Sequence, residues 1–299
     1  MTKTSPRLGI IGVGRVGGTL ARLLHRSGYE VAAVYNRHEG PAEALAAQTG
    51  AHVTADMADV VAHADLVLLT VADDAIQPVA QSLAGCDWRG KGAIHTSGAH
   101  SVDVLDVLIK SGAVVGSLHP ALPFAATDED AQSVSGAAFA VEADDERLRG
   151  WLHAMVTALG GHVLDIPADG KARYHAALAL ASNYTVTLYA AAERLLAGLG
   201  ADESARRAVL DALVSATVEN IRQRGIPDAL TGPLVRADLG TLAVHLDALR
   251  SEPEIRKNYI ALARLSYPML IARGVDIDLI EKLFHSASAK EDQDASDHP

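Results

Sequence analysis

In the alanine- and leucine-rich stretch from Lys171 to Ala197, His175, Ala179 and Asn183 recur at i, i+4 and i+8. In a helix they share one face. A histidine can give or take a proton near neutral pH, and an asparagine amide can hold an atom that gains electron density. Lys171, Tyr174 and Tyr184 lie on the same stretch. Polar groups on an apolar helix need partners once buried, so satisfied core side chains are the competing reading. His119 stands between an apolar run and a loop with Pro120, Pro123 and Phe124; held there it could face a cleft, and the alternative is a buried histidine bonded to backbone. Ser97 and Gly98, in His95-Thr96-Ser97-Gly98, offer a hydroxyl and backbone donors, or else a capped turn. Arg236 and Asp238 are two apart in Leu230–Asp238. A guanidinium there can grip a carboxylate through two hydrogen bonds, whereas Asp238 would cap the next helix or pair with Arg236.

These groups need something to act upon, and the N-terminal segment supplies it. Gly12-Val13-Gly14-Arg15-Val16-Gly17 follows a buried apolar run and opens a helical pattern. In that context the first glycine makes a tight turn, the second lets backbone approach a pyrophosphate, and the third lets helix and sheet pack closely. The helix N-terminus then faces the phosphates with N–H groups. The pattern predicts dinucleotide binding by Gly12, Gly14, Arg15, Val16 and Gly17. At the end of the next strand an NAD site would place an acidic residue for the ribose 2′-OH. Here Tyr35-Asn36-Arg37-His38 stands instead. Asn36 could bond the ribose and Arg37 a 2′-phosphate, which predicts NADP(H); a solvated surface charge is the alternative for Arg37. Val71 and Ala72, in Thr70-Val71-Ala72-Asp73-Asp74, should lie at the carboxyl edge beside the cofactor, with Asp74 capping the following helix or, as the alternative, contacting the cofactor.

The elements that must position these residues alternate through the first half. Apolar runs read as strands at Leu8–Val13, Glu30–Tyr35, Asp65–Thr70, Ala93–His95, Val114–Leu118, Ala137–Val141 and His162–Asp165. Helical patterns fall between most of them, at Arg15–Ser27, Pro41–Thr49, Val102–Ser111 and Asp144–Leu159. The alternation implies βαβ units and a mainly parallel, Rossmann-type α/β sheet. After Pro167 only helical patterns are found: Lys171–Ala197, Glu203–Arg224, Thr241–Arg250, Glu254–Arg273, kinked at Pro268, and Asp276–His285. We expect a dinucleotide-binding domain over 1–167, an all-α substrate and dimerisation domain over 168–285, and a disordered tail over 286–299.

Composition narrows the classes. A chain of 299 residues that is 49% hydrophobic can bury a substantial core. A net charge of −11 argues against a nucleic-acid partner. The single cysteine, Cys86, rules out an internal disulfide or a cysteine-based zinc cage, and no metal is expected. No signal peptide or membrane-spanning run is read, so a cytoplasmic location is expected.

The segments GVGRVG, VADDAI, HTSGAHS, GSLHPALPF, KARYHAALALASNY and TGPLVRADLGTLAVHL together resemble the Rossmann-like proteins grouped as domain of unknown function 2520, over residues 7 to 285. More distantly the chain is similar to pyrroline-5-carboxylate reductase, ketopantoate reductase and the β-hydroxyacid dehydrogenases. The resemblance implies hydride transfer from NADPH to a small keto acid, ketopantoate first, or to a cyclic imine, and a homodimer formed through the helical domain. The β-hydroxyacid dehydrogenases carry a catalytic lysine four residues before the asparagine matched by Asn183; Ala179 stands there instead, which leaves His175 as the nearest proton donor. The family's Arg-Gly-Asp reads Arg236-Ala237-Asp238 here, putting a positive φ at the middle residue in doubt. A non-enzymatic NADP-binding regulator is the alternative function.

Overall fold

The computed structural model describes residues 5–122 and 134–296, with side chains to 287. The chain divides into two compact units, Met1–Asn183 and Tyr184–Pro299. Among the described residues the first unit carries one eight-stranded sheet in the order β3-β2-β1-β4-β5-β6-β7-β8. The strands are β1 (Leu8–Ile11), β2 (Val31–Tyr35), β3 (His52–Val53), β4 (Leu66–Leu69), β5 (Gly92–His95), β6 (Val114–Pro120), β7 (Ala138–Ala143) and β8 (His162–Asp165). β1 to β6 pair in parallel, β6 and β7 antiparallel, and β7 and β8 in parallel. The mainly parallel α/β reading therefore holds. The sequence reading missed β3, which at two residues is too short to show a period.

Helices cover both faces of this sheet: α1 (Arg15–Arg26), α2 (Glu39–Thr49), α3 (Met57–His63), α4 (Asp73–Ser82), α5 (Asp106–Ile109) and α6 (Glu146–Ala158). The expected helix Val102–Ser111 is a 3-10 turn over Val102–Leu105 followed by the single turn of α5. Alternate residues of each strand feed two cores. Leu8, Ile10, Leu66, Leu68, Ile94 and Leu118 join one cluster, while Ile11, Val67, Leu69, Ala93 and the buried Trp88 join the other. Burial on both faces is why these strands read as continuous apolar runs. Gly9 shows how tight the packing is, since a Cβ there would lie 2.6 Å from Val60 Cγ1.

The expected helix Lys171–Ala197 is two helices, α7 (Lys171–Ala181) and α8 (Asn183–Ala197), interrupted at Ser182 with φ −114 and ψ −70. Ser, Asn and Thr cluster at the join and compete for backbone hydrogen bonds. The shared face inferred for His175 and Asn183 thus does not continue across Ser182. The compact-unit boundary also falls here, so α7 packs with the sheet.

The second unit is helical: α8, α9 (Glu203–Arg224), α10 (Leu239–Ala248), α11 (Pro253–Leu265), α12 (Tyr267–Ala272) and α13 (Asp278–Ser296). Pro268 does divide the fourth pattern, falling at the start of α12, where its missing N–H costs nothing. α13 continues to Ser296, into the stretch expected to be disordered. Leu242, Leu246, Ile260, Leu270, Ile280 and Phe284 form the core of this unit. The described residues contain no helix long and apolar enough to cross a membrane.

Candidate active site

The carboxyl ends of β1, β4, β5 and β6 lie side by side, and each releases a segment singled out above. After β1 comes the glycine turn. Gly12 has φ +99, and a Cβ on it would stand 2.8 Å from Thr70 O. A Cβ on Gly17 would stand 2.2 Å from Thr70 Oγ1 and 2.4 Å from Gly12 O. Thr70 closes the joint by donating its hydroxyl to Gly12 O at 2.5 Å. A Cβ on Gly14, by contrast, would meet nothing within 4 Å. Two glycines therefore serve packing and the middle one leaves open backbone. No side chain caps α1, whose N-cap is Gly14, so the positive end of that helix faces the loop.

A cavity of about 770 Å3 opens beside this turn, lined by Gly12, Gly14, Asn36, Arg37, Val71 and Ala72 among others. The Asn36 amide is engaged within the protein: Oδ1 accepts from Val13 N at 2.8 Å and Nδ2 donates to His38 O at 2.8 Å. It ties the glycine turn to the end of β2. Arg37 is exposed and makes no hydrogen bond or ion pair with another described residue. Val16 packs against the core, and Arg15 is exposed at the start of α1. Asp74 does not cap α4; Ala72 holds that position with no side-chain bond, and Asp74 lines the cavity. The donors present suit an anion at the glycine turn and a second one at Arg37, the polar ends of a phosphorylated dinucleotide.

Further along the same edge a polar row crosses the sheet. His95 of β5 is in register with Ser117 of β6, and Ser117 with Glu142 of β7. Parity puts these side chains on the face that Ala93 and Val115 share. α7 lies over them. Its buried Lys171 donates to Ser117 Oγ at 2.7 Å, and Ser117 donates to Glu142 Oε2 at 3.3 Å. Ser101 Oγ donates to Glu142 Oε1 at 3.3 Å. His95 accepts from Ser97 N at Nδ1, 3.2 Å, which leaves Nε2–H to donate to Ser101 O at 3.2 Å. Burial, aided by the Lys171 charge, pushes His95 down to about 3. Burial also brings Lys171 down to about 8, against the opposing pull of Glu142.

His119 sits two residues beyond Ser117 and so on the same face. Its Nδ1 is 2.8 Å from Tyr174 OH, with the rings edge to face at 5.7 Å. The expected alternative, a histidine bonded to backbone, is replaced by this side-chain partner. Nε2 makes no hydrogen bond to a described residue. Burial first, then the charges of Lys171 and His175, lower His119 to about 4, while Asp73 opposes them. Burial raises Tyr174 to about 12. A Cβ on Gly98 would lie 2.7 Å from His119 Nε2 and 3.0 Å from His175 Cδ2. The structure thus brings His119, His175 and Gly98 together. Ser97 Oγ is occupied in accepting from Ala99 N and His100 N, the capped-turn arrangement. Pro123 and Phe124 lie outside the described residues.

Asn183 begins α8, exposed, beyond the break. In the second unit Asp238 caps α10 through Thr241 N at 3.0 Å and Thr241 Oγ1 at 2.7 Å. Ala237 does adopt positive φ, +47, despite having a side chain. Arg236 makes no hydrogen bond or ion pair with a described residue. Lys171 and Tyr174 were visible as polar helix residues without a role. The sequence pattern gives Glu142, Ser117 and His95 no role, although a carboxylate inside the run Ala138–Ala143 is a usable signal.

Comparison with known proteins agrees with the motif resemblance. Residues 2–120 match the Rossmann-like domain model, and residues 137–266 match the domain of unknown function DUF2520. No curated protein matches. Among solved structures, one from Bacteroides fragilis assigned as an NADP oxidoreductase is 25% identical, with a TM-score of 0.71, over 87% of this chain and 97% of that one. An imine reductase from Pseudomonas sp. is 21% identical, with a TM-score of 0.64, over 94% and 100%. 1-Pyrroline-5-carboxylate reductase from Streptococcus pyogenes is 16% identical, with a TM-score of 0.60, over 87% and 99%. The last two show a shared fold.

The glycine geometry separates packing from ligand approach. Gly17→Ala should destabilise the protein, because its Cβ meets Thr70 and Gly12 backbone. Gly14→Ala should leave the melting temperature within about 1 °C yet weaken dinucleotide binding by roughly tenfold or more, since only a bound pyrophosphate needs that space. Thermal melts and cofactor titrations of both variants check this; unchanged affinity in Gly14→Ala would remove the pyrophosphate from this turn.

Proposed function

We propose that the chain is an NADPH-dependent oxidoreductase that reduces a small carbonyl compound or imine. The observation that carries this reading is the single edge on which the open Gly14 turn, the Val71-Ala72 segment and the His119–Tyr174 pair follow one another. Dinucleotides cross such an edge where strand order reverses, here between β1 and β4. Bound there, the cofactor supplies a hydride. The chain's own residues must then hold the atom that gains electron density. His119 suits this as a neutral imidazole: Tyr174 fixes Nδ1, and Nε2 is left to face a substrate beside Gly98. A neutral imidazole is an effective hydrogen-bond donor to a developing oxyanion. His175 flanks the same glycine and is the second candidate for moving the proton. For a carboxylate-bearing substrate such as a keto acid, Arg236 remains the proposed grip.

The preference for NADPH rests on Arg37, which lines the cavity, makes no ion pair with another described residue, and stands with Asn36 where an NAD site would carry the acidic ribose ligand. NADPH should bind more tightly than NADH. Arg37→Ala should remove most of that difference, about 1–3 kcal/mol for a charge-assisted contact; equal affinities in the unmutated protein would refute the assignment.

The function itself is tested by following NADPH oxidation with a panel of keto acids and cyclic imines. On the substrate so found, His119→Ala and His175→Ala should lower kcat by about 10²-fold while NADPH affinity stays nearly constant. Binding of NADPH without turnover across the panel would favour a regulatory NADP-binding protein instead.

We also propose a homodimer. α8 has no buried residue and α9 only Leu210, yet Val186 is 70% and Leu213 62% exposed. Large apolar side chains left exposed on two successive helices suit an interface. Light scattering at micromolar concentration should give twice the chain mass, and a monomer would contradict the assignment.

A further inference from the structure

The polar row beneath α7 is larger than a hydrogen-bond donor at His119 requires. An ammonium and a carboxylate are both buried at Lys171 and Glu142, and Ser117 stands between them. Apolar residues of the same volume would hold the sheet and helix together as well or better, so stability alone does not account for the pair.

Two arms leave the pair toward Gly98. One runs along α7. Lys171 and Tyr174 are the buried residues of that helix, one turn apart on the face toward the sheet, and Tyr174 reaches His119 Nδ1. The other runs from Glu142 through Ser101 to His95 and on to Ser97, whose hydroxyl closes the turn that carries Gly98. At their ends His119 Nε2 and Gly98 are so close that a Cβ on the glycine would lie 2.7 Å from the nitrogen.

The groups around His119 come from three further elements. α7 contributes Lys171, Tyr174 and His175; the start of α4 contributes Asp73; β5 and the turn after it contribute His95 and Gly98. Across β7 its register partner is Ala140, which carries no charge. Around Lys171 stand Glu142 from β7, Ser117 and His119 from β6, and His95 from β5.

We propose that Lys171 and Glu142 are positioning residues for His119: through Ser117 and α7 they hold the imidazole opposite Gly98, so that Tyr174 donates to Nδ1 and the proton stays on Nε2. Burial first, and the neighbouring ammonium second, disfavour the charged imidazolium there. The carboxylate is required because it keeps the ammonium charged in a dry site. His119 then acts as a fixed neutral donor instead of an imidazolium acid. What that donor serves rests on the reductase reading; the arrangement itself does not.

The test is histidine side-chain titration by NMR on the full-length, cofactor-free protein labelled with 15N-histidine, with His119 identified by the signal lost in His119→Asn. In the unmutated protein His119 should stay neutral to about pH 4, with an acceptor-type Nδ1 and a protonated Nε2. The double variant Lys171→Met/Glu142→Gln removes both buried charges together. In it the His119 midpoint should rise from about 4 toward the ordinary histidine value. Once a substrate is in hand, the acid limb of kcat should rise with it. A His119 midpoint near the ordinary value of about 6.5 in the unmutated protein overturns the proposal without any variant, which covers the case of a double variant that does not fold. A folded double variant with an unmoved midpoint overturns it too and leaves the row a packing feature. Because the titration needs neither NADPH nor substrate, a panel without turnover would sink the reductase reading and leave this result standing.

Discussion

Lys171 ends in an ammonium that is 2% exposed, above a sheet whose opposing carboxylate, Glu142, is 4% exposed. Moving each ion out of water costs several kcal/mol, so the arrangement persists only while the geometry of its hydrogen bonds is kept. That requirement propagates. α7 must begin where its first residue meets Ser117, and β7 must run antiparallel to β6 in the register that sets Glu142 opposite Ser117. With both satisfied, Tyr174 falls one turn along the helix, within reach of His119. A slip of one residue in β7 would turn Glu142 to the other face, into the apolar cluster of Phe139 and Val141.

The opposite end of the carboxyl edge is governed by close approach instead of charge. β1 and β4 are neighbours, and their exits cross at Thr70, Gly12 and Gly17 with no room for a methyl group. Asn36 then ties the same turn to β2. Three strands are thereby locked around a piece of backbone whose middle residue, Gly14, faces open space. A rigid frame with an open centre suits a ligand that brings its own negative charge. The two ends of the edge are built differently: one leaves open backbone at Gly14, the other holds a single imidazole, His119, through Tyr174.

The parts legible in the sequence were those that depend on local pattern. Strands buried on both faces read as apolar runs, and the glycine turn was recognisable from its setting between Leu8–Ile11 and Arg15–Arg26. The cap at Asp238 and the interruption at Pro268 were equally local. Cross-strand register is not local. Nothing in the spacing of His95, Ser117 and Glu142 indicates that they form one row, because their alignment depends on how three strands and their connections are placed. The same holds for His119 and Tyr174, which are 55 residues apart. The shared face of His175 and Asn183 has another limit: it extends a helical period across Ser182, where Ser, Asn and Thr compete for backbone hydrogen bonds and the helix breaks. Ala237 shows a third case, in which the loop keeps its positive φ although the residue there disfavours it, so the surrounding structure outweighs the local preference.

The helical unit exposes a limit of amphipathic reasoning. Alanine and leucine around most of α7 and α8 implied burial on several sides, but within the single chain α8 has no buried residue. The core of that unit is built from α10 to α13, with Leu242, Ile260, Leu270 and Phe284 at its centre, and the apolar positions of α8 and α9 have no place in it. Helical propensity cannot hold such helices by itself, since most helical stability in proteins comes from a packed apolar face. A 22-residue helix with one buried side chain is therefore evidence about what the single chain lacks. The exposed apolar positions of α8 and α9, Val186 and Leu213 among them, are the observation on which the proposed homodimer rests.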